Sequence, residues 1–202
     1  GILRVPDLDA LNEAGALLSS GMQAPEHGGV MLLMLSGGEG ALAADLCSDY
    51  GITLPELTHE TREKIDQFFP SFATPRNPVD GYGLGWNAAS FEQILRTVAE
   101  QEDVGTLVLC MDSAAIGSAD DGMVEEMASM CARLQPETTK RIVYINNTSS
   151  AGINAQARAA FELIGVPVLL GLHHGVRTLA SWMDAAAGLR DAPRPEAVAT
   201  ID

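Results

Sequence analysis

The sequence predicts a doubly wound α/β domain with a mostly parallel sheet, and three observations predict it. The apolar runs "VMLLML", "TLVLCM", "IVYI" and "VPVLL" are continuous rather than alternating, as in strands covered on both faces. Helical segments stand between them, so strand and helix alternate along the chain. With 202 residues, 47% hydrophobic, the chain can bury one large core or two small ones. A repeating strand–helix order requires right-handed crossovers. A flavodoxin-like layering is the architecture these rules leave.

Pro6-Asp7 opens a first helix whose apolar positions Leu8, Leu11, Ala14, Leu17 and Leu18 have helical spacing, and Gly21 stops it. A strand runs from Val30 to Leu35, and a helix from about Ala41 to Tyr50 ends at Gly51. "ITLPEL" reads as a short, weak strand broken by Pro55. Thr58 can cap the helix "HETREKIDQFF", with Glu60 in its first turn. "PSFATPRNPVDGYGLGWN" is loop-like. A helix over Ala88–Gln101, strand "VGTLVLCM", helix "ADDGMVEEMASMCARL", strand "RIVYINN", helix "INAQARAAFELIG", strand "VPVLLG" and a last helix through "VRTLASWMDAAAGL" complete the order.

Composition narrows the function. A formal charge of −15 argues against wrapping nucleic acid or an anionic membrane. Cys47, Cys110 and Cys131 are odd in number and set in apolar surroundings, which fits buried thiols of a reducing, cytoplasmic compartment better than a disulfide framework. No run approaches a membrane span. Both ends read as cuts in a longer polypeptide: residues 1–190 form the module, and the Pro- and Ala-rich residues 191–202 form a linker or tail.

The chemistry concentrates at "LSGGEGALAADL", where the first core strand turns into a helix. Ser36, Gly37, Gly38, Glu39, Gly40 and Ala41 would present free N–H groups above the carboxyl edge of the sheet. The aligned peptides add partial positive charge there, so a phosphate or carboxylate is the expected ligand. Two alternatives stand beside this. Gly37 and Gly38 could simply make a tight turn, with Gly40 giving clearance between helix and sheet. Gly38-x-Gly40-x-x-Ala43 also satisfies a dinucleotide-binding pattern with Glu56 as the ribose acid, which would make this an NAD(P)-binding oxidoreductase fragment.

Further candidates line the same predicted edge. Arg76 could reach a phosphate and Asp80 could hold a neighbouring turn. Alternatively, Asn77-Pro78 forms an Asx-type turn entering a strand, and Asp80 caps the segment after it. Ser113, Asn147 and Ser149 lie at strand ends that face the ligand crevice of open α/β sheets; they either donate hydrogen bonds there or cap helices. Asp120 and Asp121 read as a favourable first helical turn. His27, His59 and the pair His173-His174 show no metal-ligand spacing with an acidic or Cys partner, so no metal site is expected.

Taken together, Gly37–Gly40, Leu42–Asp45, Leu54–Leu57, Phe69-Pro70, Arg76–Asp80 and Gly165–Val168 resemble the central ligase module of the NDP-forming acyl-CoA synthetases, relatives of succinyl-CoA synthetase. The resemblance runs from Gly1 to about Arg190. It implies a succinyl-CoA synthetase-like domain in an acid–thiol ligase that joins a carboxylic acid to CoA through an acyl phosphate and a phosphohistidine. It also implies partners, in the same or another chain: a CoA-binding and phosphohistidine module, and an ATP-grasp module. CoA and ATP/ADP with Mg belong to that full enzyme, and none is expected on this fragment alone.

Within the scheme this module contributes a helix N-terminus to the phosphoryl site, matching Gly37–Ala41. Two departures qualify it. The family has Pro in place of Glu39, and its Gly-His phosphohistidine motif is missing, since "GLHHGV" falls where the family has no catalytic residue. No catalytic residue is therefore assigned, and the isolated chain is expected not to ligate. A non-catalytic docking or regulatory domain of the same fold is the alternative.

Overall fold

The computed structural model describes residues 3–81, 87–113, 121–150 and 152–191. Asp120, the side chain of Asp121, residues 82–86 and residues 192–202 lie outside the described residues. The elements are α1 (Leu8–Ser19), β1 (Gly29–Met34), α2 (Gly37–Asp49), α3 (His59–Asp66), β2 (Val79–Asp80), α4 (Ala88–Ala99), β3 (Val104–Cys110), α5 (Asp121–Leu134), β4 (Arg141–Asn146), α6 (Ala155–Leu163), β5 (Val168–Leu170) and α7 (Leu172–Asp191).

Five strands form one parallel sheet in the order β2-β1-β3-β4-β5. This is the flavodoxin-like order, whose reversal point lies between β1 and β3. The continuous apolar runs have a simple cause, because neighbouring strand residues point to opposite faces. Met31, Leu33, Leu107, Leu109, Ile142, Tyr144 and Val168 feed a core that includes Ile65 of α3, Leu95 of α4, Met127 of α5 and Phe161 of α6. Val30, Leu32, Met34, Val108, Cys110, Val143, Ile145 and Leu169 feed a second core with Leu17 of α1, Cys47 of α2 and Val176 of α7. Each buried Val, Leu, Ile, Met or Phe side chain among them contributes about 1.5–3 kcal/mol. The Tyr144 ring stacks on Phe161 at 4.5 Å, and its buried hydroxyl donates to the Met111 carbonyl at 2.7 Å. All three cysteines are free and buried, and desolvation pushes the Cys47 and Cys131 thiols up to about 12, so they pack rather than react.

Three expectations are corrected. Residues 52–57 form no strand; the edge of the sheet beyond β1 is built by the two residues of β2. Pro55 cannot donate to a ladder, and the segment is held instead by Thr53 O accepting the Val30 N–H at 2.9 Å. Second, α2 starts at Gly37 rather than near Ala41, because Ser36 is extended (φ −152°) and caps it. Third, Asn77 makes no local Asx turn. Its side chain accepts from Leu32 N at 3.1 Å and donates to Val30 O at 2.8 Å and Pro55 O at 3.1 Å, clasping β1 to the 52–57 segment beside a cis Asn77-Pro78 bond. The cap by Thr58 is as expected, with its hydroxyl accepting from Thr61 N.

Candidate functional site

The head of α2 lies at the carboxyl end of β1, where the strand order reverses. Ser36 Oγ accepts the Glu39 N–H at a long 3.4 Å, and Gly40 N donates to Ser36 O at 2.9 Å as the first helical bond. Among the described residues, nothing bonds the N–H groups of Gly37 and Gly38. Two amides at the positive end of a helix are thus left for an acceptor from outside.

The glycines have unequal roles. A Cβ on Gly37 would stand 2.9 Å from Asp80 Oδ2, so the bare backbone lets the β2 carboxylate approach the helix head. Added atoms at Gly38 would meet open space, and at Gly40 only ordinary contacts with Pro78 and Met34. None of the three has positive φ, so clearance and left-handed backbone explain neither Gly38 nor Gly40.

Glu39 does not turn outward. Its Oε2 accepts from Asn147 Nδ2 at 2.7 Å, so the side chain of α2 reaches across the end of β3 to the loop after β4. Burial raises its hold on a proton, the Asp112 carboxylate adds to this, and the Asn147 bond works against both. Asp112 Oδ1 itself accepts from Thr148 N at 2.8 Å and Thr148 Oγ1 at 3.0 Å.

Other sequence candidates divide between support and surface. Ser113 is buried; its N–H donates to Asn146 Oδ1 at 2.7 Å and its Oγ accepts from Asn154 N at 3.2 Å, so it fixes the start of α6 rather than facing a ligand. Asn146, which sequence reasoning does not single out, is fully buried and also donates to Thr148 O and Gly152 O. Asn147 stands in the crevice, and its Oδ1 is buried without a partner among the described residues. Ser149 and Arg76 are exposed. His173 contacts the Tyr50 hydroxyl at 2.9 Å, and His174 Nδ1 lies 3.3 Å from Arg177, which pairs with Asp7. Among the described residues no group of three His, Cys, Asp or Glu side chains gathers as metal ligands would.

The electrostatics of the α2 head are therefore mixed. A helix terminus favours an anion by about 0.3–1 kcal/mol. An ionised carboxylate on the same helix head opposes it. An ionised Glu39 and the helix terminus therefore act in opposite directions on any anion at this head.

The dinucleotide alternative loses its second strand. Glu56 lies in the strandless 52–57 segment, where its carbonyl accepts from Gln101 Nε2 at 2.8 Å.

Comparisons with known proteins point the same way as the fold. The acetate–CoA ligase [ADP-forming] I of Archaeoglobus fulgidus is 30% identical over 115 residues, 57% of this chain and 16% of that protein. A 4-hydroxybutyrate–CoA ligase [ADP-forming] of Nitrosopumilus maritimus is 27% identical over 117 residues, with the same shares. The chain therefore spans about a sixth of the length of the curated relatives it matches. Among solved structures, a Pyrococcus horikoshii protein superposes with TM-score 0.75 at 18% identity, over 92% of this chain and 41% of that one. The dinucleotide-forming acetyl-coenzyme A synthetase 1 of Ca. Korarchaeum cryptofilum superposes with TM-score 0.71 at 19% identity, over 94% and 40%. At such identities these structures support the fold. The family model for the Ligase-CoA domain matches residues 30–161, most of the chain and all of the α2 head, and the chain belongs to that family, a module it shares with the ADP-forming acyl-CoA synthetases.

Proposed function

We propose that this chain is the phosphoryl-cradling module of an NDP-forming acyl-CoA synthetase, in which a carboxylic acid, CoA and NTP give acyl-CoA, NDP and phosphate. The observation that carries this is the open head of α2, with the Gly37 and Gly38 amides unpaired at the reversal point of the sheet. Fixed backbone donors suit a phosphoryl group because they need no reorganisation when charge arrives. The acceptor is a phosphohistidine presented by a neighbouring module. The repulsion from Glu39 is then offset by the positive charge that accompanies the phosphoryl group, whether an imidazolium or a magnesium ion.

CoA and the nucleotide with its Mg sit on the CoA-binding and ATP-grasp modules, in the same or another polypeptide of the cytoplasm. In this scheme the nucleophile comes from the phosphohistidine module. Supplied with acetate, ATP and CoA, this chain forms no acyl-CoA unless the phosphohistidine and ATP-grasp modules are added; steady turnover by this chain alone would overturn the assignment.

A second reading is favoured by one observation, the Glu39 carboxylate bridged to Asn147 beside the cradle. In that reading the module docks its neighbours without holding phosphate. Glu39→Pro separates the two. A cradle gains inorganic phosphate affinity when the carboxylate is removed, whereas a docking module binds phosphate equally weakly in both forms.

A further inference from the structure

The outer edge of the sheet carries a buried acid that the ligase reading does not use. Glu13 sits on the inward face of α1 with Ala10, Ala14 and Leu17, and is only 8% exposed. Its Oε2 accepts the Leu170 N–H of β5 at 2.6 Å. β5 is an edge strand. Pro167 O accepts from Tyr144 N at 3.0 Å and Gly171 N donates to Asn146 O at 2.8 Å, so alternate residues face β4 while Val168 and Leu170 face outward. The outward N–H of Leu170 is the one Glu13 takes. Beside Val168 a cleft of about 340 Å3 opens between the end of α1, at Ala16 and Ser19, and Glu162 at the end of α6.

An unprotected edge strand is a template for another strand, and an inward-pointing charge is one of the devices that blunts it. We propose that Glu13 guards the β5 edge: it locks α1 onto the sheet and denies the Leu170 N–H to the β5 strand of a second copy of this chain. An incoming strand would have to displace this 2.6 Å bond and leave the carboxyl oxygen buried without a donor, which is costly. At the other edge β2 spans two residues among those described, Val79 and Asp80, and short edge strands are a weaker template. Burial raises the hold of Glu13 on a proton and Asp9 adds to this, while the Leu170 N–H, Arg158 and His174 oppose them.

Amide exchange at Leu170 and sedimentation velocity test the guard on this chain. In Glu13→Ala the Leu170 amide exchanges at least tenfold faster than in the parent, and the mean mass rises with concentration while the parent's does not. Glu13→Asp keeps the charge but draws it back by one methylene; it keeps the helix and still speeds Leu170 exchange at least threefold. Leu170 exchange within twofold of the parent in both variants would overturn the bond's role. A Glu13→Ala chain that exchanges fast but keeps a constant mass at all concentrations would overturn the guard.

Discussion

Two helices begin on the same edge of the sheet and are finished differently. At α6 the cap is fuller: Asn154 Oδ1 accepts from both Gln156 N at 2.8 Å and Ala157 N at 3.2 Å, and Asn154 N donates to Ser113 Oγ. At α2 the cap is partial: Ser36 takes only Glu39 N, at 3.4 Å, and leaves Gly37 and Gly38 open. Both heads have the same dipole, so the dipole alone does not make a binding site. The difference lies in how many orphan amides the protein fills for itself. A short hydroxyl at the cap, followed by glycines with no side chain to fold back, leaves α2 available to an outside ligand.

The comparison can be broken from the closed side first. Asn146 ties the β3 end to the loop that leads into α6 through three hydrogen bonds. Asn146→Ala leaves those buried groups unsatisfied and costs about 3 kcal/mol, a thermal midpoint lowered by roughly 6–12 °C. A calorimetric shift below about 2 °C would show that the α6 head is held by something else.

The open side is sharpened next by Glu39→Gln. Sulfate, whose charge is constant from pH 5 to 8, is the suitable probe. The sign is set by the raised proton affinity of Glu39: the carboxyl is neutralised as pH falls, and repulsion falls with it. Parent affinity therefore rises toward pH 5, while the variant binds about tenfold tighter at pH 7.5, roughly 1.4 kcal/mol, and loses the pH dependence. Parallel pH profiles for the two would remove Glu39 from the site.

The smallest effects compare the caps themselves. Asn154→Ala should cost about 1 kcal/mol, as removal of a well-formed cap does, and Ser36→Ala less than ~0.5 kcal/mol because its bond is long. Equal losses in chemical denaturation would erase the asymmetry.

The legible parts of the molecule are those decided locally. Continuous apolar runs mark four of the five strands, and Thr58 reads as a cap from its place before a helix. The location of the α2 head is legible too, because strand, glycines and helix are contiguous. The features that escape sequence reasoning depend on partners far along the chain. Asn77 and Asn147 look alike in sequence, yet one clasps β1 to Pro55 and the other meets Glu39 across 108 positions. The outermost strand is misplaced onto "ITLPEL" because β2, two residues long, carries too little pattern to detect. The capping pattern Ser36-x-x-Glu39 is present in plain sight, but its meaning changes because the Glu39 carboxylate goes to Asn147 rather than back to the helix.

The partition of each strand between two cores has a consequence for how the protein can change. Leu32 and Leu33 are bonded neighbours, but the sheet stands between their side chains and they share no packing partners. Substitutions at the two should add almost independently, whereas Leu32 with Cys47, or Leu33 with Ile65, lie in common environments and should not. The layer beneath α2 can therefore drift to suit a new neighbour while the opposite layer keeps the domain folded.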